Sequence, residues 1–146
     1  MAARSMSLVV AIGVTFVGCS RPPSAALRFA PAGMNPTGVY TADPSGSVTF
    51  SGSGGLQLRL YLERGVVLIT VRAAAEGTAP RVTIYLDERV AGEVKIDPQS
   101  FGDYQINARL SRSGTVSMRL SVSGDEAAAA LGAAPVRIET VSVWQP

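Results

Sequence analysis

Short runs of alternating apolar and polar residues make up most of the chain after Gly38. A period of two places successive side chains on opposite faces of an extended chain, so each run predicts a β-strand with one buried face. The pattern is complete in residues 56–62 (LQLRLYL), 81–86 (RVTIYL) and 115–123 (TVSMRLSVS). Gly, Ser, Asp and Pro residues separate the runs, as is typical of the turns between strands.

Residues 66–75 differ from these runs because they are apolar at almost every position. A strand of this kind is typical of the centre of a sheet, where both faces are covered. In residues 136–144 the apolar phase slips between Ile138 and Val141, which predicts a β-bulge near Thr140. Further strands are predicted for residues 47–50, 90–96 and 104–110.

Two segments are expected to lie outside the strands. The glycine-rich residues 51–55 (SGSGG) predict a loop. Residues 125–131 (DEAAAAL) predict one short helix, because acidic residues begin the segment and Gly132 follows it. Eight or nine short strands at this spacing predict an all-β fold, either an antiparallel sandwich or a barrel.

The N-terminus has the composition of an export signal. Arg4 lies in a short polar start, and residues 8–17 (LVVAIGVTFV) form an apolar run that ends just before Gly18 and Cys19. As a helix, such a run is only about 15 Å long, half of the roughly 30 Å hydrocarbon core of a membrane. The segment is therefore predicted to be a cleaved leader and not a membrane span.

Residues 16–19 (FVGC) resemble the lipobox of bacterial lipoproteins, with Phe16 standing where that family usually has Leu. The resemblance implies that residues 1–18 are removed and that Cys19 receives a diacylglycerol and a further acyl chain such as palmitate. Two or more chains anchor a protein stably. Ser20 stands where an aspartate would mark inner-membrane retention, which favours the outer membrane. A plain signal peptide cut nearby is the alternative.

The mature chain divides into a tether and a domain. Residues 19–37 contain four prolines and no apolar period, which predicts a flexible tether. Residues 38–146 carry the strand pattern and are expected to form a single domain. The predicted location is exported and membrane-anchored, on the periplasmic or outer surface.

Composition excludes several kinds of chemistry. Histidine is absent and the only cysteine is Cys19, so the chain has no Ser-His-Asp or Cys-His arrangement and no internal disulfide. The formal net charge is +2, and no basic run is interleaved with aromatic residues, which argues against a nucleic-acid partner. No nucleophile with a base is found, and an enzyme is not expected.

The order of features along the domain resembles a known family. Residues 64–73 (RGVVLITVRA), 79–87 (APRVTIYLD), 101–104 (FGDY) and 113–122 (SGTVSMRLSV) follow one another as in the calcium-dependent, galactose-binding-like carbohydrate-binding modules. The resemblance covers about residues 38–145. It implies a single jelly-roll β-sandwich that binds a glycan without catalysis.

The same resemblance points to candidate site residues. The family's late loop carries two acidic clusters, of which this chain keeps only Asp125 and Glu126, the candidate calcium ligands. Tyr104 and Asp103 are the other candidates for glycan contact, with an aromatic face for stacking and a carboxylate for hydroxyl groups. The simpler alternatives are that the acids begin a helix in a solvated loop and that Tyr104 belongs to the core.

Two functions remain open on the sequence. The first is glycan recognition by an anchored binding module, with polysaccharide as its partner and calcium as a candidate cofactor. The second is a structural or assembly lipoprotein whose sandwich holds a neighbouring envelope protein. A concave polar and aromatic surface favours the first, and a flat exposed apolar patch favours the second.

Overall fold

The computed structural model describes residues 26–75, 80–97, 101–123 and 135–146. One 3₁₀ turn (Pro31–Gly33) follows the first strand. The described ranges contain no helix with the length and hydropathy of a membrane span. The strands are β1 (Leu27–Phe29), β2 (Thr37–Ala42), β3 (Val48–Leu62), β4 (Gly65–Ala75), β5 (Arg81–Leu86), β6 (Arg89–Lys95), β7 (Gly102–Leu110), β8 (Gly114–Ser123) and β9 (Val136–Trp144).

The strands form two layers that share β3. In the hydrogen-bonded order β6-β5-β8-β3-β9-β4-β7, residues 54–62 of β3 pair with β8, whereas residues 48–50 pair with β9. We call β6, β5, β8 and the end of β3 the first layer, and the start of β3 with β9, β4 and β7 the second layer. All pairings among the described strands are antiparallel, which confirms the predicted all-β sandwich.

The glycine-rich residues 51–55 belong to β3, so the expected loop is wrong. Here β3 crosses between the layers while it stays paired: Gly54 lies opposite Val122 of β8 and also pairs with β2. Glycine suits this crossing because a side chain would collide with the neighbouring backbone. At Gly54, a Cβ atom would overlap the Phe50 ring and lie 2.6 Å from the Thr37 carbonyl oxygen.

A single apolar core lies between the two layers. In β4, Val67, Ile69 and Val71 are fully buried, and the residues between them point outward. Because β4 lies between β7 and β9, its prediction as a central strand is confirmed. Burial of apolar area at about 25 cal/mol per Å² fixes which face of each strand points inward. The outward positions of the second layer therefore form one continuous surface.

The predicted bulge in β9 is confirmed. Arg72 of β4 pairs with Thr140, but the next residue, Ala73, pairs with Ile138, which leaves Glu139 as an extra residue. A bulge of this kind redirects side chains next to it. Glu139 and Thr140 are consecutive yet both half-buried, in place of the strict alternation elsewhere in the strand. The bulge thus places a carboxylate on the outer face beside Arg72.

The expected tether of residues 19–37 is too long, because its second half belongs to the fold. β1 pairs with β9, from Leu27 opposite Val143 to Phe29 opposite Val141. Met34 is fully buried, and its carbonyl accepts a 2.7 Å hydrogen bond from a backbone N–H of β3. The sequence pattern does not predict these contacts, because the prolines in this segment interrupt any apolar period. The leader, Cys19 and the helix expected at residues 125–131 lie outside the described residues.

Gly54→Ala is expected to lower the free energy of unfolding by about 1–3 kcal/mol, because the added Cβ overlaps Phe50 and the Thr37 carbonyl. Gly52→Ala is the matched control, since a Cβ there meets nothing within 4 Å. Its effect should stay within about 0.5 kcal/mol. Urea unfolding measures both. Equal losses in the two variants would contradict the close approach at Gly54 as the cause.

Candidate functional site

Tyr104 and Asp103 lie on opposite faces of β7, so the structure does not bring them to one surface. Tyr104 is half-buried and packs against the core. Its hydroxyl accepts a 2.8 Å hydrogen bond from the backbone N–H of Asp97, just after β6. This bond ties the end of β6 to β7 and gives Tyr104 a structural contact. Whether either residue contacts a ligand stays a prediction.

The candidate calcium ligands Asp125 and Glu126 lie outside the described residues. Within the described ranges, no three side chains of the metal-ligating types lie together. The calcium site therefore stays a prediction from the sequence.

Asp103 lies on the outer face of the second layer, beside Arg72. The Arg72 Nη1 atom is 3.4 Å from Asp103 Oδ1, and its Nε donates a 2.9 Å hydrogen bond to Glu139 Oε1. The bond to Glu139, followed by the bond to Asp103, raises the pKa of Arg72, because both carboxylates favour the charged guanidinium. Three strands thus hold one arginine between two carboxylates.

Phe101 lies directly before β7, with two arginines over its ring. The Arg72 guanidinium carbon is 5.4 Å from the ring centroid, and that of Arg137 is 5.8 Å away. Both distances allow a cation–π attraction. Phe101 remains 37% exposed. We call Phe101, Arg72, Arg137, Asp103 and Glu139 the Phe101 cluster.

Asp43 extends the cluster toward β2. Its Oδ2 atom is 2.9 Å from Arg137 Nη2. Its other carboxylate oxygen accepts hydrogen bonds from the hydroxyl and the backbone N–H of Ser45. These bonds, with the Ser45 hydroxyl as the largest contribution, lower the pKa of Asp43 and keep it ionised.

The cluster combines an aromatic face with charged groups that donate or accept hydrogen bonds. The guanidinium groups are planar donors and the carboxylates are acceptors. Most of these side chains stand on paired strands, and their mutual ion pairs set their directions before any ligand arrives. Small-molecule sites use this combination of apolar area and a few aimed polar groups.

Three other aromatic residues lie in different surroundings. The Tyr85 ring lies under the Arg119 guanidinium at 4.0 Å from its centroid. Trp144 is half-buried on the outer face of the second layer, opposite Leu68. Tyr61 is 60% exposed and stands on the first layer, away from the Phe101 cluster.

Phe101 and Asp103 are visible in the sequence as an aromatic and acidic segment, but Arg72, Arg137 and Glu139 are not. Strand alternation gives the outward direction of Arg72 and Arg137, and the bulge gives that of Glu139. Their closeness depends on the register of β4 with both β7 and β9, and on the bulge at Glu139. No motif in the sequence carries that information.

Asp43 is expected to titrate below the ordinary aspartate range in carboxylate NMR. Ser45→Ala should raise its pKa most, since the Ser45 hydroxyl is the main cause of the shift, and Arg137→Gln should raise it less. A lowered carboxyl pKa stabilises the fold above the unfolded-state pKa, and this contribution is lost as the pH falls through the folded-state pKa. An Asp43 pKa that Ser45→Ala leaves unchanged would contradict the assignment.

No family model matches the sequence, and no curated protein matches it at a significant level. Solved structures do match the fold. The CBM36-1 domain of a multidomain xylanase from the hindgut metagenome of Trinervitermes trinervoides has a TM-score of 0.70 at 17% identity, covering 84% of this chain and 98% of that chain.

Two further structures give the same result. The C-terminal CBM6 of a marine laminarinase from Zobellia galactanivorans has a TM-score of 0.65 at 16% identity, covering 83% of this chain and 100% of that one. A CBM36 module in complex with calcium and xylotriose has a TM-score of 0.63 at 12% identity, covering 80% and 98%. At such identities the likeness is one of fold. The chain has the β-sandwich fold of carbohydrate-binding modules.

Proposed function

We propose that this chain is an exported, lipid-anchored and non-catalytic domain that recognises carbohydrate through the Phe101 cluster. The observation that carries the proposal is a partly exposed aromatic side chain next to two arginines and their carboxylate partners. The fold adds support, because similar structures are carbohydrate-binding modules, one of them in complex with xylotriose.

The chemistry of a sugar ring suits this surface. A pyranose has an apolar face of C–H groups and a rim of hydroxyl groups that donate and accept hydrogen bonds. The Phe101 ring supplies apolar area, Arg72 and Arg137 supply donors, and Asp103 and Glu139 supply acceptors. Such a surface can hold and orient a polysaccharide without cleaving any of its bonds.

The ion pairs also reduce the cost of binding. Fixing a long flexible side chain costs about 0.5–1.5 kcal/mol when a ligand does it. Arg72 is already held by two carboxylates, and Arg137 by Asp43. Exposed pairs of this kind add little to folding stability. Their contribution in this proposal is to orient donors before a glycan arrives.

The alternative role in assembly has less support. A protein-docking surface of the flat kind requires a contiguous exposed apolar patch. In the described part of the chain, the large exposed apolar side chains come from six different strands or their ends: Leu27, Val39, Tyr40, Tyr61, Val66, Val90 and Phe101. One of them, Phe101, lies among charged side chains, which favours a mixed polar and aromatic ligand at that surface.

The test of glycan binding is a glycan array with the full chain, run with calcium and with a chelator, followed by calorimetry on the best glycan. Phe101→Ala is expected to weaken binding about tenfold or more, the loss of roughly 1.4 kcal/mol of contact. Arg72→Gln should weaken it as well, by removing a donor and releasing Asp103 and Glu139.

Tyr61→Ala is the matched control, since it truncates another exposed aromatic residue on the first layer. It should leave the affinity unchanged, and circular dichroism should show all variants folded. If no glycan on the array binds, or if Phe101→Ala and Tyr61→Ala weaken binding equally, the proposal is overturned. If chelation abolishes binding and Asp125→Asn does the same, the predicted calcium site gains its first support.

The lipid anchor rests on the resemblance of residues 16–19 to a lipobox and on Cys19 being the only cysteine. Cys19→Ala is expected to abolish incorporation of labelled palmitate and to release the protein from the membrane fraction. Ser20→Ala keeps the cysteine and should behave as the wild type. A Cys19→Ala protein that still sediments with membranes would exclude the lipid anchor and leave glycan binding untouched.

A further inference from the structure

A groove of about 830 Å³ opens between β6 and β7, at the other end of β7 from Phe101. Its floor is apolar, and its rim is polar and charged. The floor consists of inward-facing residues of four strands: Leu86, Ala91, Ala108, Leu110 and Val116. The volume lies within the range of small-molecule sites, about 300–1,000 Å³.

The groove exists because the two layers are not hydrogen-bonded to each other along this side. β6 and β7 are the two ends of the hydrogen-bonded strand order. They approach closely at Gly92, where a Cβ atom would lie 2.6 Å from the Ile106 side chain. Directly before Gly92, Ala91 is the extra residue of a bulge in β6. The bulge bends the strand, and the gap between the layers lies on that side of the contact.

The rim is rich in arginine. Arg89, Arg109 and Arg112 line the groove together with one acidic residue, Asp87. The carboxylate of Asp87 already accepts a 2.9 Å hydrogen bond from the backbone N–H of Ser117. Within the described ranges, none of the three rim arginines forms an ion pair.

The rim arginines differ in this from three arginines on other surfaces of the fold. Arg72, Arg119 and Arg137 each have a carboxylate partner. The rim guanidinium groups keep their donors available, and a guanidinium binds a carboxylate or sulfate with two parallel hydrogen bonds. A ligand that fits both rim and floor needs an anionic group and an apolar face in one small unit.

We propose that this groove binds an acidic sugar unit of a glycan, with its carboxylate or sulfate on the rim arginines and its C–H face on the apolar floor. The inference rests on the proposed function, since it names the class of glycan. It adds a second binding surface, separate from the Phe101 cluster. Asn107 and Ser111 on the rim offer hydrogen bonds to the sugar hydroxyls.

The test uses the full chain in calorimetry with a tetramer of galacturonic acid and with its carboxyl-reduced, neutral counterpart of the same linkage. The acidic tetramer should bind about tenfold more tightly, and its affinity should fall as salt is added. A sulfated galactose tetramer shows whether carboxylate or sulfate is preferred. Binding of either acidic tetramer above its neutral counterpart supports the proposal.

Arg109→Gln with Arg112→Gln should abolish this preference. Arg81→Gln with Arg28→Gln is the matched control, because it removes the same charge from exposed arginines outside the groove. If both double variants lose the preference for the acidic tetramer equally, the preference comes from the general positive charge of the protein, and the proposal is overturned.

Two further outcomes distinguish a failure of the groove proposal from a failure of the proposed function. If neutral glycans bind but the acidic tetramers gain nothing, the groove proposal fails and the proposed function stands. If no glycan binds at all, both fail. The last measurement is binding of the full chain to vesicles of phosphatidylglycerol. Binding to them that depends on Arg109 and Arg112, without any binding of the acidic tetramers, would make the groove a lipid site and overturn the proposal.

Discussion

The antiparallel pairing of β4 with β9 is the constraint on which the rest of the structure depends. The two strands are neighbours in the second layer. β9 also pairs with the start of β3, and β3 then continues into the first layer. Their inward residues, such as Val71 and Val141, lie in the core. The same register fixes the outward residues. One extra residue, Glu139, then turns an otherwise regular ladder into a place where an arginine meets two carboxylates.

The sequence predicts the strands well because alternation is a local property of each segment. It also predicts the bulge, since the slip in β9 is visible in the order of its own residues. It fails at residues 51–55, because glycine shows no period and is equally typical of loops and of a strand that crosses between layers. It fails again at β1, which is only three residues long and surrounded by prolines. The candidate site is predicted in part: Phe101 and Asp103 stand out in one segment, whereas Arg72 and Arg137 reach them only through pairing between distant strands.

Arginine has two different roles in this fold. On the outer face of the second layer, carboxylates hold the guanidinium groups in place, so that these groups act as oriented and nearly neutral hydrogen-bonding surfaces. On the rim of the groove, the described residues leave the arginines without acidic partners, so that their positive charge acts on whatever enters. The division matters because neutral and acidic sugars are distinguished by charge more than by shape. The same residue type thus supports two proposed preferences at opposite ends of β7.

The pairing of β1 with β9 also determines how an anchored domain would be presented. Leu27 lies opposite Val143, near one end of β9, whereas Arg137 and the Phe101 cluster lie near the other end, roughly 20 Å along the strand. If Cys19 carries the proposed lipid, seven residues, 20–26, connect it to the domain, and a fully extended chain of that length spans at most about 25 Å. The proposed anchor would thus attach to the domain at Leu27, at the end of β9 far from the Phe101 cluster. The Phe101 cluster would then lie about the length of β9 away from the attachment point, where the attachment itself leaves it uncovered.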